Sequence, residues 1–315
     1  MQKIKSWLND LGYRDYKLEV LGGDASFRRY YRVIDKDKSY ILMDSTANKE
    51  VLYPFIDISV RLLKVQVEVP RIIAQNLEEG YLLLTDLGSR HLADILSEMS
   101  VELLYTKAIE EILKIQKADT TNLEPYDREF LMFEMNLMQE WYLEQHLKRD
   151  LSQNEQKMLD STLELICDEV LSQPQDIFVH RDFHSRNIMI ETGHKLVVID
   201  YQDARKGALT YDLVSLLKDV YVYFDPKQME MLALEFKRLK GVDVSDEQFI
   251  RWFDFTGLQR HIKILGIFAR LDIRDKKSDY IDNIPLTLQY IDEVCQKYDE
   301  LKPFGEFLKI DILKN

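Results

Sequence analysis

The amino-acid sequence predicts an α+β chain, with a small antiparallel sheet in residues 1–87 and a mainly helical region over 88–315, on three observations. Short runs rich in β-branched and aromatic residues, split by glycine and aspartate turns, fill the first part. Apolar residues at helical spacing fill the second. One β-rich insertion, residues 177–199, interrupts the helices.

Taken in order, strands are expected over 16–21, 30–34 and 40–43, with "GGDAS" and "DKDKS" as turn material between them, which makes an antiparallel meander. Leu52, Phe55, Ile56, Val60 and Leu63 recur at helical spacing, after which "VPRII" and "GYLLLTDLG" read as two more strands. Beyond Gly88, amphipathic helices are expected over 101–117, 129–147, 154–171, 210–224, 227–240 and 246–271. There is no repeat and no low-complexity linker, so Asp86-Leu87-Gly88 reads as a hinge between packed lobes rather than a tether.

At 315 residues and 46% hydrophobic content the chain can bury a sizeable core, as one large domain or two lobes. The 55 acidic against 42 basic residues give a formal charge of −13, which disfavours nucleic acid and anionic membrane as partners. Cys167 and Cys295 lie among apolar neighbours, as buried free thiols do, and two cysteines are too few for a structural zinc site. No stretch reaches the roughly 18 apolar residues that cross a bilayer, and the N-terminus has no apolar leader core, so a cytoplasmic protein is expected.

The insertion reads "DIFVHRDFHSRNIMIETGHKLVVIDYQDARKG", with strands at 177–179, 188–190 and 196–199 and "ETGH" as the turn between the last two. Asn187 enters one strand of this hairpin and Asp200 leaves the other, so both side chains come to one end. Asp182, Asn187 and Asp200 would then converge beside a cleft between two lobes. Their oxygens suit Mg2+, which takes one or two carboxylates plus phosphate oxygens, while a separate aspartate accepts the proton of an attacking hydroxyl. The string from His180 to Asn187 satisfies H-R-D-x-x-x-x-N at every specified position, with Asp200 following at the hairpin exit.

On "FVHRDFHSRNIMI", "VVIDYQDARKGALTYDLVSLLKD" and "GGDASFRRYYRV", the chain resembles, over nearly its whole length, the aminoglycoside phosphotransferase and choline kinase superfamily, whose members share the protein-kinase-like bilobal fold. Within it, "ILMDS", "LLLTDLG" and "LQRHIKILGIFARL" are most similar to the bacterial anomeric kinases of the cell-wall amino sugars N-acetylmuramate and N-acetylglucosamine. The resemblance implies an enzyme that uses ATP and Mg2+ to phosphorylate a sugar hydroxyl, the anomeric one above all, with residues 1–87 binding nucleotide and 88–315 carrying catalysis and the substrate. It makes Asp182 the catalytic base, Asn187 and Asp200 the Mg2+ ligands and His180 a structural member of the loop. His184 stands where many protein kinases have a phosphate-contacting lysine; it either donates to the transferred phosphate or braces the loop.

The chain departs from the kinase pattern in three places. Gly22, Gly23, Ser26 and Phe27 belong to a turn where kinases carry a glycine-rich phosphate cover, yet the G-x-G-x-x-G spacing is incomplete. Met43 stands about where kinases place the lysine that holds the nucleotide phosphates, and a thioether cannot do that. Arg28 or Arg29 is the expected substitute, with strand alternation putting Arg28 and Arg32 on one face and Arg29 on the other. Asp200-Tyr201-Gln202 replaces D-F-G.

For the substrate, Gln202, Asp203 and Arg205 suit sugar hydroxyls and a carboxylate. On the helix around 258–271, Leu258, Ile262, Leu265 and Ala269 form the expected core face. Arg260 and Lys263 lie on other faces, either solvated or, as the resemblance suggests, pairing with an anionic group. Asp212 is expected to cap a helix or brace the loop. Two other readings stay open: a kinase of another hydroxylated metabolite, aminoglycoside or choline, favoured by Asp203 and the acidic charge, and a pseudokinase-like binding protein, favoured by Met43 but opposed by the intact Asp182, Asn187 and Asp200.

Overall fold

The structure, a computed structural model, describes residues 1–21, 28–191 and 195–312. Gly22, Gly23, Ser26 and Phe27 of the proposed phosphate cover, and the tip of the "ETGH" turn, lie outside the described residues. Two compact units emerge: Met1–Asp94 with Arg186–Asp203, and Ile95–Ser185 with Ala204–Asn315. They differ from a division at residues 87 and 88 in that the hairpin segment packs with the N-terminal part of the chain.

The chain opens with a helix the strand-centred reading missed, α1 (Gln2–Asp10), whose Ile4 and Leu8 stand one turn apart and are buried. They pack on Tyr31, Val33, Leu42, Tyr81 and Leu83, which project from one face of the sheet. The strands β1 (Tyr16–Val20), β2 (Arg29–Asp35) and β3 (Lys38–Asp44) form the expected meander. α2 (Leu52–Lys64) follows, then β4 (Ile72–Asn76) and β5 (Tyr81–Thr85). Among the described residues the sheet is antiparallel, in the order β1-β2-β3-β5-β4. The core face of α2 is Leu52, Phe55, Ile58 and Leu62, whereas Val60 and Leu63 are exposed. The helix is apolar on more than one side, and packing selects the face.

The second unit is mainly helical. α3 (Val101–Ile115) leads to α4 (Arg128–Leu137), capped by the Asp127 side chain and continued as a π-helical segment, Met138–His146. α5 (Gln153–Leu171) begins with a full capping box between Ser152 and Glu155. The short β6 (Ile177–Val179) comes next in the chain. The hairpin β7 (Ile188–Glu191) and β8 (Lys195–Val198) belongs to the first unit, where Val198 N–H donates to the Glu68 carbonyl at 2.8 Å and Ile190 N–H to that of Arg90 at 2.9 Å. β9 (Arg205–Gly207) pairs with β6, a strand not foreseen.

α6 (Tyr211–Leu217) stops well before residue 224, because Asp219 must leave the helix to accept from Ser185 N–H and Tyr221 N–H. α7 (Pro226–Lys240) runs from an Asp225 cap and an N-terminal proline to Gly241 in the left-handed region, φ +72°. α8 (Asp246–Ile273), α9 (Ile284–Lys297) and α10 (Lys302–Ile312) complete the unit, the last two missed by periodicity. α8 is its axis. Leu258, Ile262, Leu265 and Ala269 form the expected core face, but Gln259, Arg260, His261 and Lys263 are buried as well. Gly266 sits so close to Leu137 that an added Cβ would overlap the Leu137 main chain, so only glycine permits this approach. Cys167 and Cys295 are buried free thiols, as expected.

Candidate active site

In the second unit, β6 delivers the chain into the H-R-D loop. The Asp212 carboxylate in the first turn of α6 accepts from His180 N–H at 2.8 Å and from Arg181 N–H at 3.0 Å, the loop-bracing role expected of it. Asp219 holds the other end of the loop, accepting from Ser185 N–H at 2.9 Å and Ser185 Oγ at 2.5 Å. Between these clamps Arg181 is left-handed, φ +79°, a costly conformation for a long side chain.

The Asp182 side chain is 39% exposed, so it stays open to a reacting hydroxyl. Arg260 Nη1 lies 3.3 Å from its Oδ1 and also donates to the Arg181 carbonyl at 3.1 Å. Lost hydration pushes the Asp182 carboxyl up, but Lys263, then Arg260, His184 and Arg181 hold it well below the usual carboxylate range. His184 packs edge-on against Tyr221 at 5.2 Å, and burial pushes its imidazole down to about 4.

Arg260 and Lys263 are therefore not solvated surface cations; burial of α8 obliges each to find a carboxylate. Lys263 Nζ pairs with Glu134 at 3.0 Å and donates to the Tyr211 hydroxyl at 3.3 Å. Glu134, on α4, also takes Arg181 at 2.6 Å, Gln259 at 3.3 Å and the Tyr126 hydroxyl. The sequence reading missed Glu134; its signal is an acid set among Leu131, Met135 and Leu137 on the buried side of a helix. Arg205 lies 3.7 Å from the centre of the Phe130 ring and donates to the Pro125 carbonyl at 2.9 Å.

In the first unit, Ile199 N–H donates to the Asn187 carbonyl at 3.0 Å, so the hairpin brings Asn187 opposite the residue before Asp200, as foreseen. Asp200 is itself left-handed, φ +62°. Its Oδ1 receives Gln202 Nε2 at 3.0 Å and Arg28 Nη2 at 3.5 Å, and Gln202 reaches on to Asp203 at 3.1 Å. Arg28, Gln202 and Asp203 line a small cavity with Ser45, Asn48, Val51 and Pro54. The Arg28 side chain is 10% exposed, whereas Arg29 is exposed at the start of β2. Met43 is fully buried, opposite Tyr30 and Leu82 in the sheet. Arg32 grips Asp86 through two nitrogens, at 2.6 and 3.2 Å, and the Gly88 carbonyl at 3.1 Å, a clamp on the Asp86-Leu87-Gly88 segment that the sequence did not announce. His91 Nδ1 meets the Arg186 carbonyl at 2.6 Å.

The donor set fits Mg2+. Asp200 and Asn187 offer hard oxygen ligands of the kind this ion takes together with phosphate and water. Among the described residues no helix is long and apolar enough to cross a membrane.

Residues 17–253 match the phosphotransferase enzyme family. An N-acetylmuramate/N-acetylglucosamine kinase of Neisseria meningitidis serogroup B is 35% identical, over 97% of this chain and 94% of its own. Among solved structures, the choline kinase LicA of Streptococcus pneumoniae is similar at a TM-score of 0.63 and 16% identity, covering 92% of this chain and 97% of its own. The ADP-bound aminoglycoside phosphotransferase APH(2'')-Ib is similar at 0.62 and 12%, with the same coverage. These likenesses show the protein-kinase-like fold, with the antiparallel sheet N-terminal and the remainder mostly helical. The chain belongs to the phosphotransferase enzyme family.

Proposed function

We propose that the protein transfers the γ-phosphoryl group of ATP to the anomeric hydroxyl of N-acetylmuramate or N-acetylglucosamine. The observation that carries this reading is Asp182: a part-exposed carboxylate in a complete H-R-D-x-x-x-x-N loop, kept ionised by Lys263 and Arg260. The 35% identity to a kinase of those two sugars supports the substrate.

In this reading Asp182 orients the acceptor hydroxyl and takes its proton as the phosphoryl group leaves ATP. Asn187 and Asp200 would hold Mg2+, which when bound neutralises charge on the phosphate oxygens. His184, uncharged at neutral pH, braces the loop against Tyr221 and serves at most as a neutral hydrogen-bond donor. Gln202 and Asp203 are the first unit's candidates for binding acceptor hydroxyls, while Arg205 is engaged by Phe130. The first compact unit carries the nucleotide and the second the base. On this reading the enzyme works in the cytoplasm, where ATP is plentiful.

Arg28 supplies the positive charge that Met43 lacks, because it is the nearly buried arginine beside Asp200. Arg28→Ala is expected to raise KM for ATP about tenfold or more while Arg29→Ala leaves it unchanged; equal values in both variants would remove Arg28 from this role.

The experiment on the function itself is ADP release with ATP and Mg2+ against N-acetylmuramate, N-acetylglucosamine, glucosamine, choline and kanamycin. Turnover confined to the two N-acetylated sugars is expected. Turnover with choline or kanamycin in their place would transfer the enzyme to another acceptor class.

A further inference from the structure

Arg181 precedes the base and holds a conformation that long side chains rarely adopt. Its main chain is pinned by Asp212 at 3.0 Å and by Arg260 at 3.1 Å. Its guanidinium is held elsewhere: it runs beside the Phe130 ring, 5.3 Å from the centre, to end on Glu134 at 2.6 Å. Glu134 is 4% exposed, and it also pairs at 3.0 Å with Lys263, the cation that acts most strongly on Asp182. One buried carboxylate on α4 therefore grips both the residue next to the base and, in Lys263, a buried cation one helical turn from the Arg260 that meets the base.

We infer that Glu134 is a positioning residue for phosphoryl transfer, anchoring Arg181 and offsetting Lys263 so that Asp182 keeps its direction and faces a limited positive charge. The inference rests on the reading of Asp182 as the base. A buried carboxylate between two cations has a structural role as well, since removing it strands both. A purely structural role, however, alters stability and not the rate of the folded enzyme. With Glu134 neutral, the uncompensated charge of Lys263 and Arg181 falls on Asp182, which then accepts a proton less readily, and the loop loses an anchor.

The test is steady-state kinetics of Glu134→Gln, which keeps the size of the side chain and removes its charge, at a temperature where circular dichroism shows it folded. The expected result is a kcat lower by about 10- to 100-fold, with KM for ATP and sugar within about twofold of wild type, and partial recovery in Glu134→Asp. If the single variant does not fold, the double variant Glu134→Gln/Lys263→Met removes anion and cation together; it is expected to fold and, with the Lys263 charge gone, to show the smaller loss of about tenfold in kcat that comes from the missing Arg181 anchor. Full kcat in whichever variant folds, beside an inactive Asp182→Asn, overturns the inference alone. Full kcat in Asp182→Asn overturns the base reading beneath it.

Discussion

Asp182→Asn is expected to lower kcat by about 10²- to 10⁴-fold, the contribution of a positioned general base, while KM for ATP and for the sugar change little. Asparagine matches the shape of the side chain and keeps an oxygen for Arg260, which lies 3.3 Å from Oδ1, so the loop clamped by Asp212 and Asp219 has no reason to move. The pH profile adds a second reading of the same carboxylate. Lys263 and Arg260 hold it below the usual range against the opposing effect of lost hydration, so it is ionised at every pH above that range. Protonation of Asp182 therefore sets no acid limb of kcat down to about pH 5, since even an unperturbed aspartate titrates near 3.9. Kinetics across pH 5–9 check this, and a limb near pH 6 that vanished in Asp182→Asn would contradict it.

Asp200→Ala is expected to abolish most turnover, by about 10²-fold or more, and to differ from Asp200→Asn in a telling way. Asp200 is left-handed at φ +62°, a conformation that asparagine accepts readily and alanine resists by about 1–2 kcal/mol. The asparagine variant keeps the backbone and an oxygen ligand but loses the negative charge, so part of its activity should return as Mg2+ is raised. Alanine supplies neither ligand nor backbone fit, and added Mg2+ should not rescue it. Magnesium titrations of kcat/KM in the two variants measure this; full activity of Asp200→Ala at ordinary Mg2+ would remove Asp200 from the metal site.

The strands of the sheet were legible because alternation and turn residues are local: β1, β2, β3 and β5 lie where those signals put them, while β4 begins at Ile72, three residues beyond the start of "VPRII". The hairpin was legible in the same way: its short turn made it possible to count Asn187 and Asp200 to one end, and the Ile199–Asn187 hydrogen bond bears that count out. α6 was read too long because nothing within "DLVSLLKD" says that Asp219 is needed beneath Ser185. α1 was read over because only two residues, Ile4 and Leu8, carry its buried face. Lys263 and Arg260 were open on the sequence because a cation on an amphipathic helix is ordinarily solvated, and only the packing of neighbouring elements around α8 buries them.

By itself the sequence determined the α+β class, the resemblance to phosphotransferases and the chemical groups of the catalytic loop, since His180 to Asn187 are contiguous and the meaning of their spacing does not depend on distant residues. Only the tertiary structure decided which charges meet: Arg28 with Asp200, Arg32 with Asp86, Arg260 with Asp182, and Lys263 and Arg181 with Glu134. The reason is physical. An exposed charge is satisfied by water and needs no partner, whereas a buried one must be paired, and both its burial and its partner follow from how segments far apart in the chain pack together.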